Sequence, residues 1–197
     1  MVYRHYGVES ALDYTSMRDG ESTAMFLAVV DAQGAVVGGL RAQGPHALVD
    51  EVDGLGPWIG TEGEAALRSE IARCIADGIV EVKAVWSDRT DPRRSEIGAL
   101  LARGIVHVAR QLEARHAFVT TAIRGVERYE SSGARQLTGI PGVVYPDERY
   151  VTVPLAWDLA DQSTATPRQR RLIAGERQQL ESGADSSVSD PGGAVSA

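Results

Sequence analysis

Residues 78–134 constrain the fold of this 197-residue chain more than any other stretch. The apolar run 79–86 reads as a strand. The polar segment Ser87-Asp88-Arg89-Thr90-Asp91-Pro92-Arg93-Arg94 follows it. Ile97, Leu100, Leu101, Ile105, Val108 and Leu112 then recur at helical spacing, so a long amphipathic helix is expected to run to near Arg115. Asp91-Pro92 signals its start, with Ser95 as a competing start. A second apolar run, 117–123, reads as a buried strand. A helix crossing over with the usual right hand pairs the two strands in parallel. The order also brings Arg89, Arg93 and Arg94 to a helix start, where free N–H groups and the helix dipole favour an anion. Taken alone, the same arginines read as a solvated loop, partly neutralised by Asp88 and Asp91.

Other elements flank this unit. Residues 25–30 and 35–41 form a hairpin around Asp31-Ala32-Gln33-Gly34, with Gly34 free to take the positive φ of the turn. Scattered glycines and prolines make 42–60 a loop. Thr61 and Glu64 form a capping box ahead of a helix whose apolar face is Leu67, Ile71, Cys74 and Ile75, and Gly78 ends it. A short helix covers 125–132, a loop 138–149 and a last strand 150–159, where Pro154 implies a sheet edge or a bulge. Residues 2–6 read as a strand or helix end and 9–17 as a short helix. One domain is expected over 1–160, then a polar tail over 161–197, helical over 166–181 and disordered beyond.

Composition excludes several classes. A net charge of −7 argues against a nucleic-acid partner. The tail carries five acids and four bases, so the acidity belongs to the domain. Cys74 stands alone, which rules out an internal disulfide. His5, His46, His107 and His116 lack metal-ligand spacing, so no metal is expected. Neither a signal-peptide pattern nor a membrane-spanning run is present, and a cytoplasmic protein is expected.

Strand, basic loop, long helix, strand and then Tyr129-Glu130-Ser131-Ser132-Gly133-Ala134 resemble the core of the GNAT superfamily of acyl-CoA N-acyltransferases. The resemblance implies an α+β (α/β) fold: a mixed central sheet flanked by helices, with parallel strands 79–86 and 117–123 splayed apart. It implies a pantetheine phosphate site at the loop and helix start. Arg93-Arg94-Ser95-Glu96-Ile97-Gly98 keeps the first Arg and last Gly of the family's pattern, with Glu96 where its first Gly belongs. Trp86, Arg89, Arg93, Arg94 and Gly98 are therefore the expected donor-binding residues. Tyr129 matches a family tyrosine that protonates the departing thiolate, while Ala122 replaces a family Asn. Read without the family, Tyr129 is a helix residue packing on the sheet.

A narrower likeness, over residues 26–159, is to the acyl-homoserine-lactone synthase and N-acyl amino acid synthase branch. Val36-Val37-Gly38-Gly39-Leu40-Arg41 resembles its third strand. Glu81-Val82-Lys83-Ala84 keeps the Glu of its Glu-x-Ser-Arg motif and loses the Ser and Arg. Pro146-Asp147-Glu148-Arg149-Tyr150 and Val153-Pro154-Leu155 resemble the segment closing its sheet, and Asp19 and Glu21 stand as remnants of upstream acceptor-binding residues. The expected activity is transfer of an acyl group from an acyl-CoA or acyl-carrier-protein thioester to a small amine, with room for a carrier-protein partner and a homodimer. Glu81 is the candidate base and Arg41 the candidate acceptor-binding residue. Glu96, Ala122 and Ala84 motivate the alternative, a non-catalytic binding or regulatory module of the same fold.

Overall fold

In the hairpin, Asp31 Oδ1 accepts hydrogen bonds from the N–H groups of Gln33 and Ala35, both at 2.9 Å, and Gly34 takes φ +85°. This turn joins β1 (Met25–Val30) to β2 (Val36–Gln43). The structure, a computed structural model, describes residues 22–187, with side chains described to Ser182. The expected segments 2–6 and 9–17, and with them His5, Asp19 and Glu21, lie outside the described residues.

The strand–helix–strand unit forms as β3 (Ile79–Ser87), α2 (Arg94–Gln111) and β4 (His116–Ala122); α1 (Glu64–Ile75) precedes it. After β4 come α3 (Val126–Glu130), β5 (Arg135–Gln136), β6 (Val143–Val144), β7 (Val151–Asp158) and α4 (Pro167–Ser187). The sheet order is β1-β2-β3-β4-β7-β5, with β6 also on β7. Among the described strands only β3 and β4 pair in parallel, as the crossover helix requires.

Alternation along the strands sorts residues between two cores. Val80, Val82, Ala117 and Val119 face Leu101, Ile105 and Val108 of α2. Ile79 and Phe118 face the other way, toward Leu67 and Ile71 of α1 and Trp58, which has no exposed surface. The full burial of Trp58 explains why 42–60 is not a plain loop: 3-10 turns at Val49–Glu51 and Asp53–Trp58 carry apolar residues over the sheet.

Several boundaries differ from expectation. Asp91 Oδ1 caps a tight turn by accepting the Arg93 N–H at 2.7 Å, which delays α2 to Arg94. That helix stops before Arg115 because Glu113 takes φ +55° and the Ala114 N–H closes onto Ala109 O at 2.9 Å. Glu64 reaches back to the Gly60 N–H at 2.7 Å rather than to Thr61, so α1 starts at Glu64 itself. The expected helix 125–132 is shorter, with a 3-10 turn at Ile123–Gly125 before it, and Val143–Val144 adds a strand inside the expected loop 138–149.

Pro154 lies in a strand paired on both sides, not on an outer edge. Its carbonyl accepts the Leu137 N–H at 3.0 Å, so its nitrogen faces the same side as β5 and β6, where pairing is broken between these two-residue strands. The missing N–H therefore removes no bond to β4. Beyond residue 160, α4 packs on α2: Ile173 joins the larger core and Glu176 pairs with Arg103 and His107. No described helix is long and apolar enough to cross a membrane.

Candidate active site

The parallel pairing of β3 with β4 covers only Ile79–Glu81 against His116–Phe118. Beyond that point the strands diverge. A bulge accompanies the divergence: the β2–β3 register shifts between Gly39 and Arg41, and Ala84 takes φ +52°. A left-handed non-glycine residue costs about 1 kcal/mol, an expense the bent strand carries locally. N–H groups of β3 on this side then have no β4 partner.

A cavity of about 520 Å³ occupies the opening. Glu81 and Lys83 line it from one face of the sheet, Val82 and Val119 from the gap between strands, and Tyr129 from the other face. Arg124, Arg128 and Tyr150 form its outer rim, with the Arg124 guanidinium 4.8 Å from the Tyr150 ring centroid.

Glu81 is 2% exposed, an unusual position for a carboxyl. Its alternation with Val80 and Val82 puts it under the 3-10 turn that begins at Asp53. A Cβ at position 54 would lie 2.8 Å from Glu81 Oε1 and 2.8 Å from Phe118 Cε1, so glycine is what fits above the carboxyl. Lys83 Nζ lies 3.7 Å from Glu81 Oε1 and donates to Asp53 Oδ2 at 2.7 Å. Glu81 Oε2 is buried without a hydrogen-bond partner. Burial pushes the carboxyl up to about 7; the Lys83 ammonium and backbone N–H groups of Gly54 and Asp53 pull it down, and the Asp53 charge adds to the rise.

Tyr129 is buried edge-on against Trp157, ring centroids 5.7 Å apart. Burial pushes its phenol up to about 12, so it stays a proton donor at neutral pH. The structure thus brings Glu81 and Tyr129 to one cavity from opposite faces of the sheet.

The remaining expected residues lie elsewhere. Arg93, Arg94 and Gly98 stand at the start of α2, Arg89 in the loop before it, and the Trp86 indole beside Gly39 of β2, where a Cβ would lie 3.3 Å from Nε1; none of the five lines the cavity. Arg93 is taken up by Asp91, at 2.8 and 3.1 Å. Arg41 is buried against Thr23 and Ser22, at 3.1 and 3.4 Å, away from the cavity lining.

Sequence reasoning found no role for Arg128. Its guanidinium lies over Gly98 in the first turns of α2, where a Cβ would come within 3.1 Å of Nε. The backbone N–H groups of Ser95 and Glu96 have no partner among the described residues, and the Glu96 side chain is exposed. This place fits an anionic group. The one signal in the sequence was adjacency to Tyr129, which a five-residue helix turns into proximity to α2.

No family model matches the chain. Proteins of Mycobacterium tuberculosis (strain H37Rv, described as Uncharacterized protein Rv1356c) and Mycobacterium bovis (Uncharacterized protein Mb1391c) are each 34% identical to it over 179 residues. The match spans 89% of this chain and 68% of each relative. Among solved structures, FeeM, an N-acyl amino acid synthase from uncultured soil microbes, superposes with a TM-score of 0.56 at 16% identity, over 84% of this chain and 90% of FeeM. BjaI, a CoA-dependent acyl-homoserine lactone synthase solved with SAM and isopentyl-CoA, gives 0.53 at 14% identity, over 89% and 76%. The chain therefore belongs to the family of these mycobacterial proteins, and its fold is that of the GNAT N-acyltransferases.

Proposed function

We propose that the chain is an N-acyltransferase, moving an acyl group from a coenzyme A thioester to a primary amine. An acyl-carrier-protein thioester presents the same reacting bond and is the other donor to test. The observation that carries this reading is the opening between β3 and β4, which joins a carboxyl poised near neutrality to a protonated phenol. The donor class follows BjaI, a CoA-dependent enzyme of this fold.

The amine nitrogen attacks the thioester carbonyl carbon, an N–C bond forms and the C–S bond breaks. Glu81 takes the amine proton; a base titrating near 7 is suited to that work at neutral pH. N–H groups of β3 beyond Glu81 that have no β4 partner stabilise the carbonyl oxygen as charge develops on it. Sulfur leaves as a thiolate. A thiol titrates near 8.5 and the Tyr129 phenol at about 12, so full proton transfer to sulfur would be uphill by about 5 kcal/mol. Tyr129 therefore donates a hydrogen bond to the sulfur, and solvent supplies the proton of the released thiol. Arg128 and the free amides of Ser95 and Glu96 hold the donor's phosphates.

Thiol release from acyl-CoAs of increasing chain length and from acyl-carrier-protein thioesters, each with a panel of amines, tests the reading. Glu81→Gln is expected to lower kcat by roughly 10²- to 10⁴-fold. Tyr129→Phe removes one donor to the developing charge and is expected to cost on the order of 10²-fold. No thiol release from either donor class, or a Glu81→Gln variant as active as the native chain, overturns the reading and leaves the non-catalytic module in its place.

A further inference from the structure

Lys83 stands two residues after Glu81 on β3, so both side chains leave the same face of the sheet. Where the resembled motif has a serine, this chain has a lysine. Its ammonium is held at 2.7 Å by Asp53 and reaches Glu81 only at 3.7 Å. Asp53 opens the 3-10 turn that covers the carboxyl, and the Lys83 side chain is 23% exposed. The buried carboxyl thus has a cation beside it whose position is set by a third residue rather than by a direct bidentate pair.

We propose that Lys83 is a positioning residue: tethered by Asp53, its ammonium sets the pH at which the Glu81 carboxyl becomes a base. The proposal rests on the reading of Glu81 as the base of acyl transfer. A nearby ammonium favours the carboxylate over the carboxylic acid, while Asp53 draws that ammonium away and adds a negative charge of its own. The two residues therefore act with opposite sign. Other elements facing Glu81 bring neutral groups: Gln43 pairs with it from β2, and Phe118 and Thr120 border it from β4. Among the described residues, the His46 ring, which burial holds below the usual histidine range, lies 3.9 Å from Glu51. Arg124 and Arg128 line the same cavity from beyond β4.

Carboxyl-carbon NMR of the full chain with labelled glutamate, followed from about pH 4 to about pH 9, reads the midpoint of Glu81 directly. Glu81→Gln assigns the resonance by its loss. Lys83→Met is expected to raise the midpoint by about one pH unit, Asp53→Asn to lower it, and Lys83→Arg to leave it near the native value. A midpoint unmoved in Lys83→Met, or moved the same way in Lys83→Met and Asp53→Asn, overturns the proposal. The pH profile of thiol release judges separately whether Glu81 is the base, so the failure of one reading is distinguishable from the failure of the other.

Discussion

A buried carboxyl with a midpoint raised to about 7 leaves a mark on stability as well as on chemistry. In an unfolded chain the same group titrates at 4.5, so between these values the folded state binds more protons. Stability is full below the unfolded value, falls as pH rises through the window, and is at its floor above about 7. The shift amounts to about 3 kcal/mol. Glu81→Gln keeps the shape and removes the titration. Urea unfolding at several pH values is expected to show the variant gaining on the native chain by about 3 kcal/mol across that window; a gap independent of pH would refute the burial argument. Gly54 is the companion case. Gly54→Ala places a methyl 2.8 Å from both Glu81 Oε1 and Phe118 Cε1, and is expected to cost about 1–3 kcal/mol and to lower kcat by displacing the base.

Of the elements, α4 departs most from what its composition suggests. Its residues look like a solvated charged surface, yet three of its contacts close on α2. Arg103 Nε donates to Glu176 Oε1 and Oε2 at 2.9 and 3.1 Å, Arg103 Nη1 donates to Gln169 Oε1 at 3.0 Å, and His107 Nε2 meets Glu176 Oε2 at 2.9 Å. Burial opposes ionisation of Glu176, but the bonds from Arg103 and His107 outweigh it and hold the carboxyl below its usual range. This contribution is present above the ordinary carboxyl midpoint and is lost as pH falls through the depressed one. Glu176→Ala leaves the buried Arg103 without a carboxylate partner and is expected to destabilise by about 3 kcal/mol, read as a lower urea midpoint. Glu176→Gln should cost less, since it still accepts from Arg103. A loss below about 0.5 kcal/mol for Glu176→Ala would mean that the cluster behaves as an exposed pair. Such docking was not legible in the sequence: charged residues at helical spacing give no sign of which surface they meet.

At the level of the whole molecule, two cores cover opposite faces of one sheet while β3 and β4 part in its middle. A ligand that binds only the folded chain raises its stability, by about 2.7 kcal/mol at a hundredfold excess over Kd. Thermal unfolding with acyl-CoA is expected to show this rise, and Arg128→Ala to reduce it by weakening phosphate contact; an Arg128→Ala variant that responds as the native chain does would remove Arg128 from the donor site. Much of this architecture was legible beforehand. The alternation in β3 and the helical spacing of α2 depend on near neighbours in the chain, so the crossover unit, the hairpin and the candidates Glu81 and Tyr129 follow from local periodicity and a recognised motif order. What surrounds those candidates does not. The cover over Glu81 comes from Asp53 and Gly54, and the guanidinium over Gly98 comes from Arg128. Local order determines which elements form and which way each side chain faces. Burial, charge partners and the opening between β3 and β4 arise only when distant segments pack together, and these are what turn a glutamate and a tyrosine into a candidate site.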